Sequence, residues 1–548
     1  MANIKFSRKT FEKEIGKLDE AMQNKIALFG TTLESFTDDE IELEIFPDRP
    51  DLLSYQGFKR TFLAFLGKQT GIKKYKIIPP EKNYAVTIDK SVKNIRPHTA
   101  CAIVKNLKFT DEKIKEIIDV QEKLHSTLGR KRKKLAIGIY PLEKIKLPIT
   151  YKALEPDQIK FQPLEASKEM TGLQILQRHP AGRDYAHLLA GKSKFPIFID
   201  ANKNILSMPP IINSHLTGKI TEQTKEVFVE CSGFDFEICK KCLNIIITTL
   251  ADQGGKIYQM ELKGLKEITP NLTPEKNKIS LANTNKMLGL NLTEKELKNN
   301  LEKMGHSYSK GEAISPAWRT DLLHEVDLIE DIAIAYGYDN FKPIIPKIST
   351  IGEENRKETI KRKISNILSS IGFLETLSLH LTKPKDQFSK MGIQDKEQKG
   401  FIEVEKSKTD YTILRKDLTH CTLKILSENI DSEYPQKIFE TGRTFQLKNN
   451  QDIIEKENLS CAIASGNFTE IKQTLEYLKR MLELNLQVKE AENPPKHFIE
   501  GRTGEFYLED KKIGILGEIH PRTLKHWKIK MPVALFEIDL EPIFNQFQ

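Results

Sequence analysis

The stretch Ser315 to Asn340 reads SPAWRTDLLHEVDLIEDIAIAYGYDN, and it crowds Asp321, His324, Glu325, Asp327, Glu330 and Asp331 into eleven residues of an otherwise basic chain. Leu322, Val326, Ile329, Ala333 and Tyr336 recur three or four residues apart, the spacing of one buried stripe on an amphipathic helix. That stripe leaves Asp327, Glu330 and Asp331 on an adjoining face. It also sets Asp321 in the first turn, where the helix dipole favours negative charge. Acids at i, i+3 and i+4, with a fourth about a turn and a half earlier, suit one hard cation such as Mg2+ with waters completing the octahedron. Two other readings stand beside the metal. Like charges at i, i+4 cost a helix a few tenths of a kcal/mol, which a partner's Arg or Lys offsets as readily as a metal, and a solvated face needs no ligand. A catalytic carboxylate pair is disfavoured, because such pairs face each other across a cleft.

Working outward, the chain of 548 residues is too long for one core and should hold about three to five domains at ~100 to 200 residues each. An apolar fraction of 39% with 8% aromatic residues supports packed domains. The 85 Lys and Arg against 76 acids give a formal charge of +9, which permits basic patches toward phosphate without requiring them. The first residues lack the apolar core of a leader, and no run reaches the roughly 18 apolar residues of a spanning helix, so a cytosolic protein is expected. Six scattered cysteines agree with a reducing compartment. Only CKKC at 239 to 242 has ligand spacing, and without a second pair it reads as two thiols one helical turn apart.

Four blocks are separated by polar, proline-bearing joints. In residues 1–90, Ile41, Leu43 and Ile45 alternate as in a strand. Pro50 and Asp51 then suit the first turn of a helix whose stripe is Leu52, Leu53, Phe58, Phe62, Leu63 and Leu66. Arg49 at that turn suits a structural ion pair better than a ligand. In residues 91–265 the run Arg130 to Lys134 precedes the apolar strand LAIGIY, and a phosphate-facing edge balances a solvated face. Ser207, Asn213, Ser214, Glu230, Ser232 and Asp235 fall at strand ends or turns, where sites are built. AHLLAGKS, Ala186 to Ser193, is not a phosphate loop: Ala186 replaces the first glycine and no strand precedes it. Residues 266–345 hold a helix with a Thr293 to Glu296 capping box and a stop at Gly305, and end on the acid-rich helix. Residues 350–548 alternate long helices with several strands, as in an antiparallel sheet with helices, and carry neither a glycine-rich phosphate loop nor a Ser-His-Asp signature.

WRTDLLHEVDLIEDIAIAYGYDNF resembles the signature of the phenylalanine–tRNA ligase β-subunit family, of the short archaeal and eukaryotic type. Other segments resemble it in the same order: FPDRPDLLSYQGFKR, with Asp48 where Asn is more usual, QEKLHSTLGRKRKKLAIGIYPLEKI, LSMPPIINS, GGKIYQM, ILRKDLTHCTL, YPQKIFETGRTF and IGILGEIHPRTL. The resemblance implies an α+β, multidomain chain. Its parts would be an N-terminal α/β module (1–90), a mixed α/β editing-type domain (91–265), a small winged-helix-like domain (266–345) and a non-catalytic class II synthetase-like antiparallel sheet with helices (350–548). It also implies an α2β2 tetramer in which the α subunit binds ATP and L-phenylalanine, makes the adenylate and charges tRNA(Phe). Residues 350–548 contain no Gly-x-Gly-x-Gly-x-x-Arg, consistent with that division of labour.

The resemblance further implies a central domain that hydrolyses tyrosine wrongly attached to this tRNA, because a pocket for phenylalanine rejects an added hydroxyl only weakly. The editing residues would be Phe198, Ser207, Glu230 and Ser232, and the Mg2+ ligands Asp321, Asp327, Glu330 and Asp331. Where the family reads Asp-x-Thr-Gly-Thr-Asp, this chain has Glu230, Cys231, Ser232, Gly233, Phe234 and Asp235, and Phe234 is expected to narrow the pocket. The alternatives are a free-standing hydrolase of misacylated tRNA and a non-catalytic nucleic-acid-binding protein.

Overall fold

Ile41, Leu43 and Ile45 are fully buried along the strand Glu40–Ile45, which pairs antiparallel with Ala2–Ser7 on one side and Thr32–Phe36 on the other. Pro50 opens a 3-10 turn, Pro50–Leu52, and not the α-helix itself, which runs Tyr55–Phe65 with the Ser54 hydroxyl accepting from Gly57 N. At that turn Arg49 donates from Nε and Nη2 to the two oxygens of Asp51, at 2.9 Å each. The structure is a computed structural model that describes residues 2–394, 399–405, 407–448 and 452–547, and it divides into two units, Met1–Ile345 and Pro346–Gln548. It is a mixed α/β, multidomain architecture with several sheets. Among the described residues no helix is long and apolar enough to cross a membrane.

The middle of the first unit is layered. A five-stranded sheet runs in the order Ile77–Ile78, Lys256–Tyr258, His98–Lys105, Val227–Gly233, Leu135–Pro141. Period-two alternation decides what each of its faces meets. Ala100, Ala102, Val104, Val227, Val229 and Cys231 pack with the helices Asp111–Ser126 and Phe236–Asp252. Cys101, Ile103, Tyr140 and Phe228 point the other way, onto Ile149, Tyr151, Phe198 and Leu206 of a seven-stranded sheet. Each such aliphatic side chain contributes ~1.5–3 kcal/mol by leaving water. Cys239 and Cys242 lie fully buried on the core side of their helix.

The two sheets reach beyond residues 91–265 at both ends. Ile77–Ile78 pairs parallel with Ile257 and Tyr258, Ala85–Ile88 pairs parallel with Met260–Lys263, and Glu267–Thr269 is an edge strand of the larger sheet. Strands of two to four residues carry too little periodicity to be assigned from sequence. Beyond them, a three-stranded sheet of Glu275–Lys278, Glu312–Ser315 and Ser307–Ser309 accompanies the helices Leu281–Leu288, Glu294–Lys303 and Glu325–Tyr336. Thr293 and Glu296 form the reciprocal capping box, and Gly305 has φ +81°.

The acid-rich helix differs from its sequence reading in three respects. It begins at Glu325, so Asp321 lies upstream of the first turn. Val326 is 47% exposed, whereas Leu328, Ile329, Ile332, Ala333 and Ala335 are buried. The face carrying Asp331 is buried as well, with that residue 3% exposed. The cause is that this helix touches two hydrophobic clusters of the first unit, Leu328 and Ile332 packing with Leu297 and Leu301, and Ala335 with Met304 and Trp318. A helix packed on two sides buries a wider arc than one stripe.

In the second unit a seven-stranded sheet runs Leu374–Glu375, Gln436–Lys448, Asp452–Ala464, Val533–Asp539, Lys511–Ile519, Phe498–Leu508, Leu486–Glu490, antiparallel except at its first pair. Helices Arg356–Ser370 and Phe468–Met481 cover one face, and Thr419–Glu428 and Pro521–Trp527 the other. Fully buried Arg415 donates from Nη1 to Glu440 Oε1 at 2.6 Å and from Nε to the Arg443 carbonyl at 2.7 Å.

Candidate functional site

A cavity of about 510 Å³ opens beside the edge strand Leu135–Pro141, between the helix Asp111–Ser126 and the segment 209–220. Its volume lies in the range of small-molecule sites, ~300–1,000 Å³. Glu230 sits on its wall because alternation along Val227–Gly233 turns it away from the helix layer, together with Phe228. The Tyr140 hydroxyl lies 2.7 Å from Ser207 Oγ, 3.3 Å from Glu230 Oε1 and 3.5 Å from Asn213 Oδ1. Glu230 Oε2 is buried and has no hydrogen-bond partner. Burial pushes the Glu230 carboxyl up to about 8 against the opposing pull of Arg96, Tyr140 and Ser232. Burial thus favours the protonated carboxyl, a form able both to donate and to accept.

The space around that carboxyl is kept by Gly138. A Cβ there would stand 2.1 Å from the Tyr140 hydroxyl and 2.6 Å from Glu230 Oε1, so only glycine lets the two groups meet. On the opposite wall His125 Nε2 accepts from Ile137 N at 2.8 Å, which places its proton on Nδ1, 3.2 Å from Glu122 Oε1. Burial lowers the His125 pKa and keeps the ring neutral.

Of the four residues implied for editing, Glu230 alone lines the cavity. Ser207 stands behind it, joined through the Tyr140 hydroxyl. Phe198 stacks on Tyr151 with centroids 4.4 Å apart, and Ser232 binds Arg96 through its carbonyl at 2.8 Å. Phe234 does not narrow the cavity: its ring is 53% exposed and lies 5.4 Å from the Arg96 guanidinium, outside the wall. Tyr140 and His125 were not singled out from sequence. Tyr140 ends the apolar run LAIGIY, and nothing in that run distinguishes a site tyrosine from a core one.

The acid cluster lies elsewhere in the same unit. Arg319 donates to both oxygens of Asp321, at 2.8 and 2.6 Å, and stands 2.9 Å from Asp331 Oδ2. His306 Nε2 meets the same Asp331 oxygen at 2.7 Å. Asp327 accepts from the backbone N–H of Leu323 and His324 at 2.7 Å each, capping its helix. Glu330 makes none of these bonds. Its pKa is raised by partial burial and then by Asp331, Asp48, Asp327 and Asp321 around it. Among the described residues no three His, Cys, Asp or Glu stand as a ligand shell, because Arg319 is already the counter-ion of two of the acids. Only the chemistry of the donors, and not their present placement, suits a hard cation. Every group is a carboxylate with several lone pairs, and the raised Glu330 marks an anionic crowd that a cation relieves.

A family profile described as the phenylalanyl tRNA synthetase beta chain CLM domain matches residues 342–540, and one described as the tRNA synthetase B5 domain matches residues 277–338. The phenylalanine–tRNA ligase beta subunit of Thermococcus sibiricus is 38% identical over 509 residues, 91% of this chain and 90% of that one. The subunit of that name from Archaeoglobus fulgidus is 36% identical over 543 residues, 97% of each chain. Among solved structures, an N-terminal fragment of the Pyrococcus horikoshii phenylalanyl-tRNA synthetase beta subunit aligns with a TM-score of 0.58 at 37% identity, covering 61% of this chain and 99% of the fragment.

Proposed function

This chain belongs to the phenylalanine–tRNA ligase beta-subunit family, and on that premise we propose that its central cavity hydrolyses tyrosine from tRNA(Phe) while an α subunit performs the ligation. The observation that carries the editing reading is Glu230, a buried carboxyl with one unpartnered oxygen on the wall of a substrate-sized cavity. A phenol is the group this carboxyl is placed to recognise, since it already faces the phenol of Tyr140 at 3.3 Å. A phenylalanine ring would leave Glu230 Oε2 without a partner, and such a loss favours tyrosine strongly.

ATP, L-phenylalanine and the adenylate belong in this reading to the α subunit of an α2β2 assembly, working in the cytosol, where the six buried free cysteines stay reduced. The test measures phenylalanine-dependent pyrophosphate exchange and tyrosyl-tRNA(Phe) deacylation for this chain with and without α. Exchange is expected from the pair alone and deacylation from the pair as well. Exchange by this chain alone would overturn the division of labour, and an assembled enzyme that leaves tyrosyl-tRNA intact would overturn editing.

For the acid cluster we propose Mg2+ at Asp321, Asp327, Glu330 and Asp331, where it supplies positive charge to an anionic crowd and acts structurally. Saturation at about 100 times Kd stabilises a fold by ~2.7 kcal/mol. Mg2+ is therefore expected to raise the melting temperature of chelator-treated protein, and Glu330→Gln, which breaks no hydrogen bond of the cluster, to abolish the rise. An unchanged wild-type melting temperature would remove the ion from this site.

A further inference from the structure

The segment Gly129 to Lys134 joins the helix Asp111–Ser126 to the edge strand Leu135–Pro141, at one side of the cavity. Arg130, Lys131 and Arg132 have φ of +46°, +52° and +62°, three successive non-glycine residues in the left-handed region. L-residues enter it singly and at a cost, so three in a row persist only where the surroundings hold them. Backbone bonds hold them in part, from Arg132 N to the His125 carbonyl at 3.0 Å and from Lys134 N to the Gly129 carbonyl at 2.8 Å, and the Arg132 side chain anchors the turn to its surroundings. Its Nη1 donates to the Ile211 carbonyl at 2.9 Å, its Nη2 to Glu122 Oε1 at 2.8 Å, and its guanidinium lies 4.4 Å from the Tyr185 ring. Gly129 permits the tight entry, since a Cβ there would stand 2.6 Å from the His125 carbonyl.

The strained turn has one electrostatic result. With Arg132 pinned inward on the cavity wall, Arg130, Lys131, Lys133 and Lys134 project outward, exposed, and none makes an ion pair among the described residues. Four exposed cations in five residues make a concentrated positive field, which raises the local concentration of an anionic ligand. Exposed His215 and Lys219 also line the cavity, and Ile118 on its wall is 54% exposed, an apolar surface where a base can pack.

We propose that the turn Arg130–Lys134 is the phosphate clamp of the cavity, holding the sugar-phosphate backbone of the tRNA acceptor end while the esterified amino acid enters toward Glu230. This rests on the editing reading for its purpose. The geometry assigns Arg132 a positioning role, aiming the other four.

The test uses the assembled α/β enzyme with Arg130, Lys131, Lys133 and Lys134 all changed to Gln and Arg132 kept. The kcat/KM for tyrosyl-tRNA(Phe) should fall at least tenfold more than that for 3′-O-tyrosyladenosine, which has no phosphate, and its dependence on salt should flatten. Equal losses on both substrates, or no loss on the tRNA, would overturn the clamp. If wild-type enzyme hydrolyses neither ester, the editing reading fails by itself, and lysine footprinting decides the clamp. Protection of Lys131, Lys133 and Lys134 by uncharged tRNA(Phe), lost when the tRNA lacks its 3′-terminal nucleotides, would support it. No protection would overturn it.

Discussion

Replacing Arg319 with Met is expected to destabilise the first unit by ~3–5 kcal/mol, the cost of removing one partner from a buried ion network. Arg319 is 3% exposed and serves Asp321 and Asp331 together, so its loss strands two carboxylates. Burial pushes the Asp331 carboxyl up, but Arg319 and then His306 pull it further down, well below the ordinary carboxylate value of 3.8. For a depressed carboxyl the stabilisation is fully present above the unfolded-state pKa and is lost as pH falls from about 3.8 through the folded-state value. The Arg319→Met deficit should therefore be largest at neutral pH and shrink below pH ~4. Trp318 and Trp527 are the two tryptophans, one in each unit, so urea unfolding followed by Trp318 fluorescence in a Trp527→Phe background isolates the first unit. The double variant Arg319→Met with Asp331→Leu should recover part of the loss, because the buried charge leaves with its counter-ion. A single variant within ~0.5 kcal/mol of wild type would show that the network contributes little.

How far the sequence revealed these arrangements depended on whether the controlling interaction was local. The Thr293 to Glu296 capping box and the alternation of Ile41, Leu43 and Ile45 are set by neighbours a few residues away, and both were readable. The acid helix is legible as a helix but not in its rotation. Its buried arc is decided by contact with two hydrophobic clusters, and the counter-ion that draws Asp331 inside, Arg319, lies twelve residues earlier on another segment. The cavity was legible only in part. Glu230 is marked by the resemblance, though it lies in the middle of the strand Val227–Gly233 and not at a strand end, and its partner Tyr140 comes from a strand ninety residues distant and reads in sequence as core. The family pattern places a hydroxyl residue where this chain has Phe234, which suggests a narrowed pocket, yet Phe234 lies beyond the end of the strand Val227–Gly233 and turns outward under Arg96.

Glu230→Ala is expected to lower tyrosyl-tRNA(Phe) deacylation by the assembled enzyme at least ~10²-fold and to erase most of its preference for tyrosine over phenylalanine, with phenylalanine activation intact. Truncation removes the sole hydrogen-bonding group of the implied set that lines the cavity, and it leaves the Tyr140 hydroxyl to Ser207 and Asn213. Glu230→Gln separates recognition from charge. Wild-type Glu230 has its pKa raised from 4.5 to about 8, so folding favours its neutral form and stability declines as pH rises through that window. The effect is on the order of 4 kcal/mol once pH exceeds 8. The amide cannot ionise, so Glu230→Gln should lag or match wild type at pH 5 and overtake it above pH 8, measured as melting temperature across that range. A constant difference between the two proteins would mean that Glu230 titrates like an exposed carboxylate. A crossover together with unchanged tyrosine preference in Glu230→Ala would leave the carboxyl buried as described and move tyrosine recognition to another wall of the cavity.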